Sequence, residues 1–89
     1  MRAIITVIGK DKVGIVARIA TELAKLNLNI IDINQTIMEE FFTMVLMVDL
    51  NKANKQFDEI KKDLTSVGKE LGLDVKIQNE EIFNLMHTI

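Results

Sequence analysis

The sequence has no cysteine and no proline in 89 residues, and its only aromatic residues are four phenylalanines. Without cysteine there are no disulfide staples, no thiolate metal sites and no cysteine nucleophile, which fits a reducing compartment. No apolar run approaches the roughly 18 residues that a membrane span requires. The N-terminus lacks a signal-peptide pattern, since Arg2 leads straight into a short β-like run with no small-residue cleavage site after it. A cytoplasmic protein with no membrane partner is therefore expected. An excess of charge is missing too: 11 basic and 13 acidic residues are spread evenly, for a net charge of −2. The one local basic cluster, Lys10, Lys12 and Arg18, is interrupted by Asp11. Nucleic-acid binders carry a basic stripe, so no direct nucleic-acid contact is expected.

The usual residue sets for catalysis are also missing. His87 is the only histidine and stands near the C-terminus. Proton transfer would need a partner and a held geometry, so it reads as a terminal solvated side chain. Glu39-Glu40 and Glu80-Glu81 are adjacent pairs, and neighbours along a strand point to opposite faces. They read as solvated loop carboxylates, not as a metal site. No cofactor, no metal and no enzymatic activity are expected.

What is present is patterned for one domain spanning residues 1–89. A chain this short buries only about 60–65% of its unfolded surface, so it must be well patterned or be helped by a partner. Residues 3–8 are β-branched and nearly continuous in apolar character, as in a strand buried on much of both faces. Two glycines in the six residues 9–14 break that run. From Ile15 the period changes. Ile15, Ile19, Leu23 and Leu26 mark the apolar face of a helix, with Asn27 as a stop in the left-handed conformation. Residues 29–38 alternate as a second strand, with Ile31, Ile33, Gln35 and Ile37 on a dry face and the largely polar set around Asp32, Asn34 and Thr36 on a wetter one. Glu39-Glu40 is the hairpin tip, and residues 41–50 form a third strand.

Asn51 or Asn54 is expected to cap a second helix, in which Phe57, Ile60, Leu64, Val67 and Leu71 follow helical spacing and which Gly72 ends. Leu73, Val75 and Ile77 make a fourth strand with one solvated face. Residues 80–89 form a short apolar tail of a helical turn or two. The order β-α-β-β-α-β implies an α+β ferredoxin-like sandwich, a four-stranded antiparallel sheet with two helices on one face. Sheet binding of RNA would need aromatics on the central strands, and the first strand has none.

The first and third strands are apolar on both faces, through Ile4 and Ile8 opposed to Ile5 and Val7, and Val45 and Met47 opposed to Met44 and Leu46. Two helices cannot cover both faces. A second subunit or the tail must cover the rest, and a homodimer is expected.

The turn Gly9-Lys10-Asp11-Lys12-Val13-Gly14 matches neither a Walker loop nor the dinucleotide fingerprint. Either it is plain strand-to-helix geometry, or the unpaired amides at the helix start hold a carboxylate or phosphate. Asp11 either caps the helix approach or meets the ammonium group of a ligand.

This turn, with Ile15-Val16 behind it, a helix ending at Leu26-Asn27-Leu28, and then Asn29-Ile30-Ile31-Asp32-Ile33, resembles the ACT domain. The stretch Asp32 to Ile37 with Phe42-Thr43-Met44 is most similar to single-domain bacterial and archaeal ACT proteins, relatives of the glycine cleavage system transcriptional repressor. The resemblance implies a regulatory domain that binds an amino acid or related small molecule between the turn of one subunit and the second strand of its neighbour. It carries the ligand role onto Asp11, Gly14 and Ile15 of the turn and onto Asn29. Family members often have Pro or Arg within the turn, where this chain has Val13 and Lys12. ACT domains usually regulate an enzyme fused to them. This chain has none, so it is expected to act in trans as a sensor, with a regulated protein partner. The alternative is a ligand-independent protein-interaction module of the same fold. An acylphosphatase-type enzyme shares the fold order but needs an arginine in the first turn, which offers only lysines.

Overall fold

The computed structural model describes residues 1–87, excepting the side chains of Phe83, Met86 and His87. The elements run β1 (Arg2–Lys10), α1 (Ile15–Lys25), β2 (Asn29–Met38), β3 (Phe41–Asp49), α2 (Phe57–Leu71), β4 (Asp74–Asn79) and α3 (Glu80–His87). The four strands form one sheet in the order β2-β3-β1-β4, with every neighbouring pair antiparallel. This is the ferredoxin-like arrangement. Of the tail expected over residues 80–89, positions 88 and 89 and the side chain of His87 lie outside the described residues, and the rest is the helix α3.

β1 lies between β3 and β4, and its side chains alternate between the two sheet faces. Ala3, Ile5 and Val7 are fully buried. They stand opposite Val48, Leu46 and Met44 of β3, and Ile5 and Val7 also face Ile77 and Val75 of β4. α1 adds Ile15, Ile19 and Leu23 to this layer, and α2 adds Ile60, Leu64 and Val67. All belong to one continuous core. Each large aliphatic side chain that passes from water into it contributes about 1.5–3 kcal/mol.

Both main helices end as the sequence predicts. Asn27 has φ 59°, the Leu28 N–H bonds back to the Leu23 carbonyl at 3.0 Å and the Asn27 N–H to that of Ala24 at 3.1 Å. Gly72, at φ 70°, closes α2 in the same way, with Leu73 N–H on Gly68 O at 2.8 Å. These crossed bonds satisfy carbonyls that a helix end would otherwise leave free. α1 begins at Ile15 as expected, but the beginning of α2 differs. α2 starts after Gln56, and no side chain caps it. Asn54 instead donates to the Lys25 carbonyl at 2.8 Å, and Asn51 accepts from the N-terminal ammonium at 2.7 Å. Both asparagines tie loops to neighbouring segments.

The sheet's second face is now assigned. Ile4, Thr6 and Ile8 of β1 share it with Met47, Val45 and Thr43 of β3. α3 packs against β1 and β4, its Glu80 pairs with Arg2, and Ile4 is only 5% exposed. The cover ends there. Ile8, Val45, Phe41 and Met38 remain exposed. The tail thus covers part of this face and leaves part bare.

β2 departs most from its pattern. All ten of its residues are exposed. Ile31 sits in a bulge where the register with β3 shifts, and the Asp32 carboxylate accepts the next N–H, that of Ile33, at 2.8 Å. Downstream of the bulge, Ile33, Gln35 and Ile37 stand opposite Leu46, Met44 and Phe42, so they lie on the helix side. The expected dry face exists, but nothing among the described residues of one chain covers it.

Gly68 lies where α2 crosses β4. A Cβ there would come within 2.9 Å of both the Leu73 carbonyl oxygen and a Val75 methyl. Backbone cannot yield as a flexible side chain does, so Gly68→Ala is expected to cost about 1–3 kcal/mol, measured by urea unfolding. Arg18 clamps the two helices, reaching Glu70 at 2.8 Å and Glu22 at 2.9 Å. The Arg18 hydrogen bond holds the Glu70 carboxyl below its usual pKa of 4.5. A depressed carboxylate contributes stability above its unfolded pKa and loses it as pH falls through the lower folded value. Glu70→Gln is therefore expected to flatten the acid limb of the stability profile below about pH 4.5 and to leave the slope near neutrality unchanged, as followed by thermal unfolding.

Candidate functional site

Four exposed residues, Asp11, Lys12, Val13 and Gly14, carry the chain from β1 into α1. The Asp11 N–H donates to the Glu40 carbonyl at 2.8 Å, which fastens the turn to the β2–β3 hairpin. Glu39 at its tip has φ 57°, a conformation glycine or asparagine adopts more readily. The Lys12 ammonium donates to the Leu71 carbonyl at 2.7 Å, at the negative end of the α2 dipole. Lys12 is thereby occupied in joining the turn to α2.

Gly14 precedes the first helical residue at φ 88°. A Cβ there would meet nothing within 4 Å, so the backbone lies open to whatever approaches. No side chain caps α1, and its first turn has no acidic residue. The first amides of the helix, beginning with Ile15, have no intrahelical acceptor. The capping alternative for Asp11 is thereby removed: its carboxylate makes no cap bond and enters no ion pair among the described residues. Ile15 is buried, 2% exposed, and its side chain is part of the core. It can offer a ligand its N–H and nothing more.

Asn29 lies elsewhere. It opens β2 opposite Asp49, and Asp49 in turn stands opposite Arg2 at the start of β1. Asp11 follows the other end of β1, where Lys10 faces Phe41 and Phe41 faces Met38. The two groups are thus separated by the length of the sheet, about 25–30 Å at roughly 3.3 Å per residue. One chain brings Asp11, Gly14 and the Ile15 amide together but keeps Asn29 apart from them. Asn29 lines a polar cleft of about 530 Å³ with Asn27, Leu28, Asp49, Asn51 and Lys52. The strand order gives this separation its geometry, which spacing along the sequence does not.

The described residues hold no group of three or more His, Cys, Asp or Glu that could bind a metal ion. None of the described helices is long and apolar enough to cross a membrane. The polar network is one of helix clamps and loop ties.

A helix-backed antiparallel sheet in the order β2-β3-β1-β4 defines the ferredoxin-like class of small α+β domain. The sequence profile of the ACT domain matches residues 2–78, and the chain belongs to the ACT domain family. A UPF0237 protein of Listeria innocua is 55% identical over 89 residues, the whole of both chains. The solved structure of an ACT domain protein from Streptococcus pneumoniae is similar at a TM-score of 0.82 and 42% identity, covering 93% of each chain. A glycine cleavage system transcriptional repressor structure gives a TM-score of 0.76 at 21% identity, over 86% of this chain and 44% of that one; at that identity the likeness is one of fold. ACT domains are typically regulatory, bind small molecules such as amino acids and often dimerise.

Gly14→Ala tests the reading of the turn. With open space around the Cβ, its cost comes from the left-handed backbone alone, about 1–2 kcal/mol. Urea unfolding that shows a loss well above this would mean a packing role for Gly14.

Proposed function

We propose that the chain is a homodimeric amino-acid sensor that acts in trans on a protein partner, and that Asp11, Gly14, Ile15 and Asn29 hold the ligand. The observation that carries this reading is the edge strand β2, exposed along all ten residues yet bearing Ile31, Ile33, Ile37 and Met38 at 42–71% exposure. A long apolar edge left bare invites pairing with another strand. If two copies pair their β2 edges antiparallel, the Asn29 end of one lies beside the Met38 end of the other. Since Met38 pairs with Phe41 and Glu40 is bonded to Asp11, Asn29 of one protomer then approaches the open turn of its partner. The two halves that the sheet separates within a chain meet across the dimer, twice by symmetry.

The chemistry suits an α-amino acid. The uncapped positive end of α1 attracts a carboxylate, the Asp11 carboxylate an ammonium, and the Asn29 amide donates to one or accepts from the other. Ligand bound at both sites stabilises the dimer by linkage, which couples metabolite level to assembly. Ligand-independent interaction is the second reading, favoured by the bare patch of Ile8, Val45, Phe41 and Met38 on the other face.

A thermal-shift screen over the twenty amino acids decides between them. An amino acid at 100 times its dissociation constant adds about 2.7 kcal/mol, roughly 10 °C for a chain of this size. Ile33→Lys is expected to keep the fold, since that side chain is already 42% exposed, but to yield a monomer by sedimentation equilibrium and to lose the shift. A dimer that survives Ile33→Lys contradicts the β2 interface; a screen in which nothing shifts contradicts the sensor.

A further inference from the structure

The opposite edge of the sheet has another character. Among the described residues β4 pairs with no strand but β1, so its outer side over residues 74–77 also presents backbone groups with no strand opposite them. It borders a groove of about 330 Å³ lined by Asp74, Val75, Lys76, Ile77 and Gln78 of the strand together with Lys61 and Thr65 of α2. A second depression of about 570 Å³ continues along α2 past Lys62 and Lys69 and shares Lys61 and Thr65 with the first. Together they hold four lysines and two aspartates, in a chain whose net charge is −2. Asp74 is 3.7 Å from Lys76. Lys61, Lys62 and Lys69 enter no ion pair among the described residues.

We infer that the β4 edge and the lysine face of α2 form a docking groove for an extended acidic segment of a partner protein, which adds to the sheet as a fifth strand. Strand addition supplies partners for the outward N–H and C=O groups of residues 74–77. Alternate side chains of the added strand fall on the α2 side, beside Lys61 in the groove and towards Lys62 in the depression that continues from it, and carboxylates there meet ammonium groups in no ion pair among the described residues. A second copy of this chain is a poor occupant. Antiparallel pairing of two β4 strands sets Lys76 and the α2 lysines of one against those of the other, and like charges across an interface repel. A lysine-bearing edge discourages self-association, and an acidic strand reverses that penalty. Single-stranded nucleic acid would use aromatic platforms for its bases, and among the described residues neither depression has an aromatic lining. The surface is independent of the ligand site, being on the other edge of the sheet, and it gives a trans-acting regulator a place to hold its target.

The test uses the full ¹⁵N-labelled chain and a synthetic capped peptide of alternating Glu and Val, with an alternating Lys and Val peptide and oligouridylate as controls. The acidic peptide is expected to bind with a salt-dependent affinity, to slow amide exchange along β4, and to bind about tenfold more weakly to Lys61→Glu/Lys62→Glu. Both lysines are exposed, and the dispersion of the variant's own spectrum establishes that it folds. Failure of the acidic peptide to bind at millimolar concentration, binding without protection of β4, or tighter binding of oligouridylate would each overturn the assignment.

Discussion

A four-stranded sheet has two faces and two edges, and a chain of 89 residues has too little material to cover all four. That constraint governs the rest of the molecule. α1 and α2 cover one face over β1 and β3, whose inward residues are almost wholly buried. Their protection stops short of β2, where Ile33 on the same face is still 42% exposed. α3 covers part of the second face, over Ile4. What is left bare is the apolar β2 edge, the lysine-bordered β4 edge and a patch around Val45.

These leftover surfaces differ in chemistry, and the difference orders the proposed functions. The β2 edge is apolar and bulged, with the Asp32 carboxylate beside the bulge accepting the Ile33 N–H, and suits a second copy of the same strand. The β4 edge has unpaired lysines beside it and suits a chain of opposite charge. The turn before α1 lies at neither edge within one protomer. In the proposed dimer it is brought against the start of the neighbour's β2. Ligand, assembly and partner binding would then occupy separate parts of one small sheet.

Much of the fold was legible in the residues. The helical spacing of Ile15, Ile19, Leu23 and Leu26, the left-handed ends at Asn27 and Gly72, and the hairpin at Glu39-Glu40 are local, and local physics decides them. The two-faced apolar character of β1 and β3 also predicted that two helices would not suffice. Other features depend on tertiary context. Asn51 and Asn54 have the chemistry of caps, but loop contacts claim them. The bulge at Ile31 shifts which residues of β2 share a face, and period-two alternation cannot reveal where a register slips. Asp11 and Asn29 were both picked out through the family resemblance. The strand order sets them at opposite ends of the sheet in one chain, so the proposed site needs the second subunit that the resemblance implies.

The central claim is that β2 is an internal strand of an eight-stranded sheet in solution. In one chain, β2 is paired with a strand on one side only, so its outward amides other than that of Ile33, which donates to the Asp32 carboxylate, point to solvent and exchange freely. In the dimer those amides meet the neighbouring β2. Residue-resolved hydrogen exchange of the full chain at micromolar concentration measures this directly. Slow exchange at successive residues 34–37 of β2, beyond the Ile33 amide that Asp32 already holds, is the predicted result. Fast exchange at every second β2 amide, the pattern of a free edge, would contradict the account.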